Sequence, residues 1–381
     1  MKRIGFLGAY SIDNTGDQVL GYAVRQAFRE RVPGAEHVLF APKLTGDFWK
    51  HDWRTARGID AEVRPIPADD STAWAKGLDA VVIGGGELVR LEPDFRPFLL
   101  GGTSAWHASI PAAWNAVGAE NAPAYMTEHG PFYRSVRECC EALTYVSVRN
   151  PLTARFLRRC GFTGEAHVVP DPTLLLSAGD ATEGQRVLLE AGVDTDKFVI
   201  GLSVGTSLRD GRASHFYKDL LTALTSWAKR EAIEIVLFPF GGIYGDAELQ
   251  EVATSWVPDA KIVRAPLDAL QRWHLIGALD FHVCTRYHAM LSAFAHDIPF
   301  MVLDEYASDV NGSSKIREFV VEMGLEGFYL CPYLSTRPRH KLANAIRLLR
   351  DPDFSFREKL TSMQQDLGAH FDAMAAALAW G

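Results

Sequence analysis

The residues best suited to chemistry lie in one segment, Cys284-Thr285-Arg286-Tyr287-His288-Ala289-Met290, which follows an apolar strand pattern and opens a helical one. A helix N-terminus presents free N–H groups and a partial positive charge, so it suits a phosphate or a carboxylate. Arg286 adds a planar fork that can bind an anion at two points, and His288 adds a group that exchanges protons near neutral pH. The segment predicts an anion site with an acid–base group. The plainer alternative is a structural histidine.

Two further cations could serve the same site. Lys315 lies in Ser313-Ser314-Lys315-Ile316-Arg317, after the next predicted strand, and Arg209 lies past the first strand of the second half. Ligands of open α/β sheets bind at the carboxyl ends of strands, and both residues follow such ends. The alternative for Lys315 is a solvated helix start.

The first half carries a polar stretch and a glycine cluster after two predicted strands. Asp17, in Asn14-Thr15-Gly16-Asp17, is expected at a helix start, where it either faces a ligand or simply caps the helix. Gly84-Gly85-Gly86 suits a tight turn beside a bound group, or a plain strand-to-helix turn. The three glycines are not GxGxxG, so dinucleotide binding has little support.

Two weaker signals come from the loops. Glu128-His129 places a carboxylate beside an imidazole, but neighbours in an extended segment point to opposite faces and do not act as one pair. The alternative is a polar loop, with the later strand-end Arg149 structural. Four tryptophans could stack on a sugar ring, although core packing is the commoner role: Trp53, Trp74, Trp106 and Trp114.

Short β-type runs alternate with helical patterns, which predicts parallel sheets covered by helices. Strands are expected over residues 3–7, 36–40, 78–83, 123–127 and 145–148, and again over 198–204, 234–238, 261–264, 281–284 and 300–303. Helices are expected over residues 16–30, 151–160, 214–229, 267–276, 286–296, 341–349 and 357–378.

The double series predicts an α/β protein with two Rossmann-like domains that face a cleft. We place the N-terminal domain at residues 1–185 and the C-terminal domain at 186–350. Residues 351–381 are expected to form a C-terminal helix that packs back on the first domain.

Composition excludes several classes of protein. The net charge of −8 over 381 residues argues against nucleic-acid binding, although local cations can still bind an anion. No stretch approaches the roughly 20 apolar residues of a membrane span, and the apolar run after Met1 is too short for a signal peptide. We therefore expect a cytoplasmic protein. The five cysteines contain no CxxC pair, so we expect reduced thiols and no metal site.

Taken in order, these segments resemble the polysaccharide pyruvyltransferase family. The matching residues are Asn14-Thr15-Gly16-Asp17, Gly84-Gly85-Gly86, Gly130-Pro131-Phe132, Ser147-Val148-Arg149-Asn150, Asp171-Pro172, Thr285-Arg286-Tyr287-His288 and Ser314-Lys315-Ile316. The resemblance implies a glycosyltransferase-B-like architecture, with the N-terminal domain on the acceptor side and the C-terminal domain on the donor side. It also implies transfer of pyruvate from phosphoenolpyruvate, as co-substrate without another cofactor, onto two hydroxyls of one sugar. The product is a cyclic ketal, as in exopolysaccharides of the cell envelope, and phosphate is released.

The resemblance also implies roles for single residues. The donor would be bound by Arg286, Tyr287, Arg209 and Lys315, with His288 as the acid and Asp17 as a base for the sugar hydroxyl. The acceptor or cleft residues would be Asn14, Gly16, Gly85, Gly86, Glu128 and His129. Two departures stand out: Gly205 lies close to a position where the family has arginine, and Glu128-His129 replaces small or apolar residues.

Two other functions fit the same pattern. A sugar-nucleotide glycosyltransferase would use the helix start at Arg286 for a diphosphate. A catalytically silent protein would keep the fold and bind a sugar or an anion.

Overall fold

Parallel strands alternate with helices along the described parts of the computed structural model, as the hydrophobic pattern predicts. The structure describes residues 1–10, 14–41, 62–65, 72–89, 109–119, 130–176, 181–205, 211–242, 246–305, 314–332, 334, 338–349 and 354–378. The chain forms two compact units. The first contains Met1–Ile12, Asp17–Leu175 and Ser362–Gly381, and the second contains Asp13–Gly16 and Leu176–Thr361.

The first unit contains a seven-stranded sheet among its described residues. Its strands are β1 (Arg3–Leu7), β2 (Glu36–Ala41), β3 (Glu62–Pro65), β4 (Ala80–Glu87), β5 (Ala112–Gly118), β6 (Tyr145–Val148) and β7 (His167–Val168). They lie in the order β3-β2-β1-β4-β5-β6-β7, and every neighbouring pair is parallel.

Three helices of this unit follow its strands. They are α1 (Thr15–Arg31), α2 (Pro131–Ala142) and α3 (Pro151–Arg159). Pro151 occupies the first turn of α3, where its missing N–H is not needed, and the Asn150 side chain caps that helix by accepting from Thr153 N at 2.9 Å.

The second unit repeats the design with a six-stranded parallel sheet. Its strands are β8 (Val199–Ser203), β9 (Glu234–Leu237), β10 (Lys261–Ile262), β11 (Phe281–Cys284), β12 (Phe300–Leu303) and β13 (Tyr329–Leu330), in the order β10-β9-β8-β11-β12-β13. Its helices are α4 (Ala181–Glu190), α5 (Gly211–Glu231), α6 (Asp246–Thr254), α7 (Ala269–Ile276), α8 (Tyr287–Ala295), α9 (Lys315–Glu322) and α10 (Pro338–Leu349).

The last helix, α11 (Arg357–Ala377), contacts the first unit through its C-terminal part. Phe371 packs edge-on against Phe28 of α1 at 5.9 Å between ring centroids, and Asp372 pairs with Arg31 at 2.7 Å. None of the helices in the described ranges is long and apolar enough to cross a membrane.

The core of each unit follows from its apolar strands. β11 and β12 are buried along their whole length, and every residue of α8 is buried as well. A strand buried on both faces reads as a continuous apolar run, which is why the second-half strands were recognisable in the sequence.

Most of the predicted strands are confirmed, and four were not foreseen. β3, β5, β7 and β13 carry no clear apolar run, and the predicted strand at 123–127 lies outside the described residues. The chain divides after Leu175, whereas the division expected at residue 185 falls inside α4.

Candidate functional site

Arg286 lies where β11 ends and α8 begins, and an acidic partner holds it there. Its backbone is extended (φ −97°, ψ 137°), and its side chain does not cap the helix. Nη2 donates to Oδ1 of Asp246, the first residue of α6, at 2.5 Å. The side chains of Arg286 and Asp246 are only 10% and 2% exposed, so the pair is shielded from water. This bond orients the guanidinium, a group with five N–H donors, at the helix start.

The electrostatics of Asp246 depend on its neighbours. Burial raises the pKa of its carboxyl, because a charge in a dry site is costly. The guanidinium of Arg286, the N–H of Phe240 (3.3 Å from Oδ2) and the charge of Arg272 oppose that rise. The charges of Arg286 and Arg272 therefore both favour the ionised carboxylate.

His288 lies in the first turn of α8, in the same unit as Arg286. Its side chain is 9% exposed, and its ring meets the ring of Tyr287 edge-on at 5.3 Å. The backbone of Gly16 lies against the imidazole, because a Cβ added to Gly16 would stand 2.0 Å from Nδ1 of His288. The imidazole therefore occupies the space that a side chain at position 16 would need.

Lys315 reaches the same helix start through Tyr287. Its Nζ lies 5.9 Å from the centroid of the Tyr287 ring, within cation–π range. Ser314 caps α9 by accepting from Arg317 N at 3.0 Å, and its hydroxyl donates to Asp304 at the end of β12. The ring of Tyr287 thus contacts both Lys315 and His288.

The stretch Asn14-Thr15-Gly16 belongs to this group of residues. Asn14 forms an isolated antiparallel bridge with Gly241, in the loop after β9, and its Oδ1 accepts from Gly16 N at 3.1 Å. The hydroxyl of Thr15 lies 3.3 Å from Nη1 of Arg272 on α7. Two sequence constellations that are about 270 residues apart are therefore brought together in the second unit.

Glu305 and Thr285 follow the ends of β12 and β11, beside Gly205 at the end of β8. A Cβ on Gly205 would lie 2.5 Å from Thr285 Oγ1 and 2.8 Å from Glu305 Oε2. Tyr217 of α5 donates to Oε1 of Glu305 at 2.7 Å. The surroundings of Gly205 thus leave no room for a larger side chain. The arginine expected near this position from the family resemblance could not fit here without rearrangement.

The first unit holds Asp17 against the glycine cluster. A Cβ on Gly86 would stand 2.7 Å from Oδ1 of Asp17, and Gly86 has φ +89°, a conformation that favours glycine. Gly85, with φ +88°, leaves similar room for Leu20. Burial, then the nearby charge of Asp17, raises the pKa of Tyr10, whose hydroxyl donates to the Gly84 carbonyl. These glycines admit Asp17 and Tyr10 to the end of β4.

Other family-matching residues of the first unit are structural. Arg149 and Asp171 form a buried ion pair at 4.0 Å with both side chains 1% exposed. Asp171 also accepts from Thr173 N at 3.0 Å. Trp114 lies in the core on β5, which rules out sugar stacking for it, and Trp74 packs edge-on against Phe40.

Several predicted residues cannot be placed. Arg209, Glu128 and His129, together with Trp53 and Trp106, lie outside the described residues. Within the described ranges no group of three or more His, Cys, Asp or Glu side chains could hold a metal ion.

The sequence missed Asp246, Arg272 and Glu305. Glu305 follows a strand that the sequence predicted, so its position at the end of that strand could have identified it as a candidate. Asp246 and Arg272 lie on helices, and only the folded chain brings them to Arg286 and Thr15.

Known structures confirm the α/β, glycosyltransferase-B-like fold class. A UDP-GlcNAc 2-epimerase from Methanocaldococcus jannaschii is 11% identical with a TM-score of 0.60, over 93% of this chain and 94% of that one. The epimerase from Neisseria meningitidis, bound to UDP-GlcNAc, is 11% identical with a TM-score of 0.59 over 100% of both chains. Anabaena HepE, in complex with UDP and glucose, is 14% identical with a TM-score of 0.58, over 100% of this chain and 98% of that one. At such identities the likeness concerns the fold alone.

A comparison with curated proteins finds no match. A family model described as polysaccharide pyruvyl transferase matches residues 14–305, well over half of the chain. That range contains the Asn14-Thr15-Gly16 stretch, the buried Arg149–Asp171 pair and the Arg286–His288 helix start. The chain therefore belongs to the polysaccharide pyruvyl transferase family, a family of transferases.

Proposed function

We propose that this protein transfers pyruvate from phosphoenolpyruvate onto two hydroxyls of one sugar in a glycan or glycoconjugate, forming a cyclic ketal and releasing phosphate. The observation that carries the proposal is the helix start of α8. There Arg286, oriented by Asp246, lies two residues from His288, and Lys315 lies over Tyr287. The family of the chain supports the same reaction type.

Phosphoenolpyruvate, the proposed donor, needs a site of this kind. Phosphoenolpyruvate carries a phosphate and a carboxylate, so it needs several cations and N–H donors. The start of α8 supplies N–H groups and a partial positive charge, Arg286 supplies a fork, and Lys315 supplies a point charge. We assign donor binding to Arg286, Tyr287 and Lys315, and keep Arg209 as a predicted fourth member.

The reaction needs one proton donor and the removal of two hydroxyl protons. In the first step the acid, assigned to His288, protonates the methylene carbon while a sugar hydroxyl adds to C2 and loses its proton to a base. In the second step another hydroxyl of the same sugar attacks C2, and the C–O bond to phosphate breaks. The phosphate leaves with the electron pair, and the second hydroxyl proton returns to the acid or to phosphate.

Asp17 remains our candidate base for the first hydroxyl. It is buried against Gly86 in the first turn of α1. We place the acceptor beside Asn14, Gly16, Gly85, Gly86, Glu128 and His129. We expect no cofactor besides phosphoenolpyruvate, an envelope exopolysaccharide or a related glycan as acceptor, and a cytoplasmic location.

The direct test is mass spectrometry of candidate sugars incubated with the enzyme and phosphoenolpyruvate. The expected product carries one pyruvyl ketal, and an equal amount of phosphate appears. Pyruvate in place of phosphoenolpyruvate should give no product. Ketal formation that is equally fast with His288→Gln would separate the reaction from this site.

A sugar-nucleotide glycosyltransferase is the second candidate, because HepE is described with UDP and glucose and the Neisseria epimerase with UDP-GlcNAc. Thermal shift separates the two, since a ligand that binds the folded state raises the unfolding midpoint, and raises it further as its concentration exceeds its Kd. We expect phosphoenolpyruvate to raise the midpoint and UDP to leave it unchanged. The reverse result would favour the glycosyltransferase. Binding without turnover of any acceptor would favour the silent protein.

A further inference from the structure

Gly16 has no backbone reason to be glycine. It lies in the first turn of α1, and its φ is not in the left-handed region. Alanine costs about 1 kcal/mol less than glycine inside a helix, so backbone energetics favour a side chain here. The reason must therefore lie in the surroundings of the residue.

The surroundings of Gly16 are the imidazole of His288. An added Cβ would stand 2.0 Å from Nδ1, 2.4 Å from Cγ and 2.7 Å from Cβ of His288. All three distances are shorter than real carbon contacts, so the smallest side chain at position 16 would displace the ring. The Nδ1 edge of His288 thus faces the Gly16 backbone.

The backbone at Gly16 cannot easily move, because contacts hold the two residues that precede it. Asn14 accepts from Gly16 N at 3.1 Å and bridges Gly241. Thr15 is fully buried, and its hydroxyl lies 3.3 Å from Nη1 of Arg272. A clash at position 16 would therefore move His288 more readily than it would move the helix start.

We propose that Gly16 is a positioning residue for His288. The absent side chain lets the imidazole lie against the start of α1, and this contact sets the direction of the ring at the Arg286 helix start. Gly16 belongs to the proposed acceptor or cleft residues, and its contact with His288 places it next to the proposed acid. The effect on turnover rests on the proposed function, but the effect on the ring does not.

The test compares Gly16→Ala with Gly368→Ala, a matched change within α11. A Cβ on Gly368 meets nothing closer than Arg31 Nη2 at 4.0 Å. NMR of the histidine rings, with His288 assigned from His288→Gln, should show the His288 resonance displaced in Gly16→Ala and unchanged in Gly368→Ala. An unmoved His288 signal in Gly16→Ala would overturn the proposal, whatever reaction the enzyme performs.

Turnover supplies the second readout. A misplacement of about 1 Å can cost on the order of 10²-fold, so Gly16→Ala should lose about that factor in kcat with a smaller change in donor affinity. Gly368→Ala should match the wild type. A rise in KM with kcat unchanged would assign Gly16 to binding and contradict the positioning role.

A double-mutant cycle covers the case in which Gly16→Ala is unstable. His288→Ala removes the ring and creates room for the methyl group. Gly16→Ala should then cost nothing further in stability or in the residual turnover, since two changes that act through one contact do not add. Equal costs of Gly16→Ala with and without the His288 ring would show that Gly16 acts through something else.

Discussion

At the scale of single residues, Arg286 combines a buried structural contact with a place at a helix start. A buried arginine needs a partner, and Asp246 provides one within the second unit. The charge of Arg272 also favours the ionised form of this carboxylate. Asp246 thus orients the guanidinium of Arg286 before any ligand binds, so a bound anion would not have to order that group itself.

Replacing Arg286 by alanine should weaken phosphoenolpyruvate binding by about 2–5 kcal/mol, because the donor loses a charged partner in a buried site. The change also removes the arginine partner of the buried Asp246 carboxylate, so we would combine it with Asp246→Asn to preserve the fold. Calorimetry measures the affinity. Arg264→Ala is the control, since Arg264 is exposed and pairs with Glu251 on the same unit. Unchanged donor affinity would remove Arg286 from the site.

His288→Gln should separate binding from chemistry. Glutamine retains a hydrogen-bond donor but cannot release a proton at neutral pH. If His288 is the acid, turnover should fall by about 10²–10⁴-fold while donor affinity changes little. Both quantities are measured on the same variant. Turnover close to that of the wild type would leave His288 as a binding residue only.

The sequence predicted the residues of the site better than their partners. Arg286, His288 and Lys315 follow recognisable strands, so their place at one sheet edge could be inferred. Asp246 and Arg272 could not, because their relation to Arg286 and Thr15 arises from packing between helices that are distant in sequence. Arg209 lies outside the described residues, so its role stays a prediction.

At the scale of elements, β5 shows why a strand can escape prediction from the sequence. β5 has the sequence AAWNAVG, in which small residues, an asparagine and a glycine hide the strand pattern. Its pairing with β6 is irregular between Trp114 and Val117, where Ala116 has φ 49°. Ser147 of β6 stabilises this irregularity by accepting from Ala116 N and donating to the Trp114 carbonyl, both at 2.9 Å. Such a strand is specified by its neighbours rather than by its own pattern.

The end of β6 depends on the Arg149–Asp171 pair. Arg149→Met should lower the free energy of unfolding by about 3–5 kcal/mol, because it removes the positive charge that faces the buried Asp171 carboxylate. The double variant Arg149→Met/Asp171→Asn should recover most of that loss, since asparagine can still accept from Thr173 N. Urea unfolding measures both variants. A double variant as unstable as the single one would show that the arginine stabilises by another route.

At the scale of the whole molecule, each unit contains buried histidines that are uncharged when folded. In the first unit burial lowers the pKa of His37 to about 4 and that of His370 to about 3. In the second unit it lowers the pKa of His282 to about 3 and that of His296 to about 4. His370 illustrates the setting: it lies 2.9 Å from Asn115 Oδ1 and 3.1 Å from the Tyr145 hydroxyl, bonds that a neutral ring satisfies by donating from Nε2 and accepting at Nδ1.

These histidines predict a loss of stability in mild acid. A group whose pKa is lower in the folded state binds protons more readily when unfolded, so its contribution is complete above the unfolded pKa of about 6.5 and is lost toward the folded pKa. Each such histidine should add a slope of about 1.4 kcal/mol per pH unit to the free energy of unfolding between about pH 6.5 and 4.5.

Urea unfolding across this pH range measures the total slope. His370→Gln can keep both hydrogen bonds but does not titrate, so it should reduce the slope by the share of one histidine. The nearby charges of His167 and Arg31 also oppose protonation of His370, and both remain in the variant. A slope that is the same in His370→Gln and the wild type would show that His370 is not among the groups that destabilise the protein in acid.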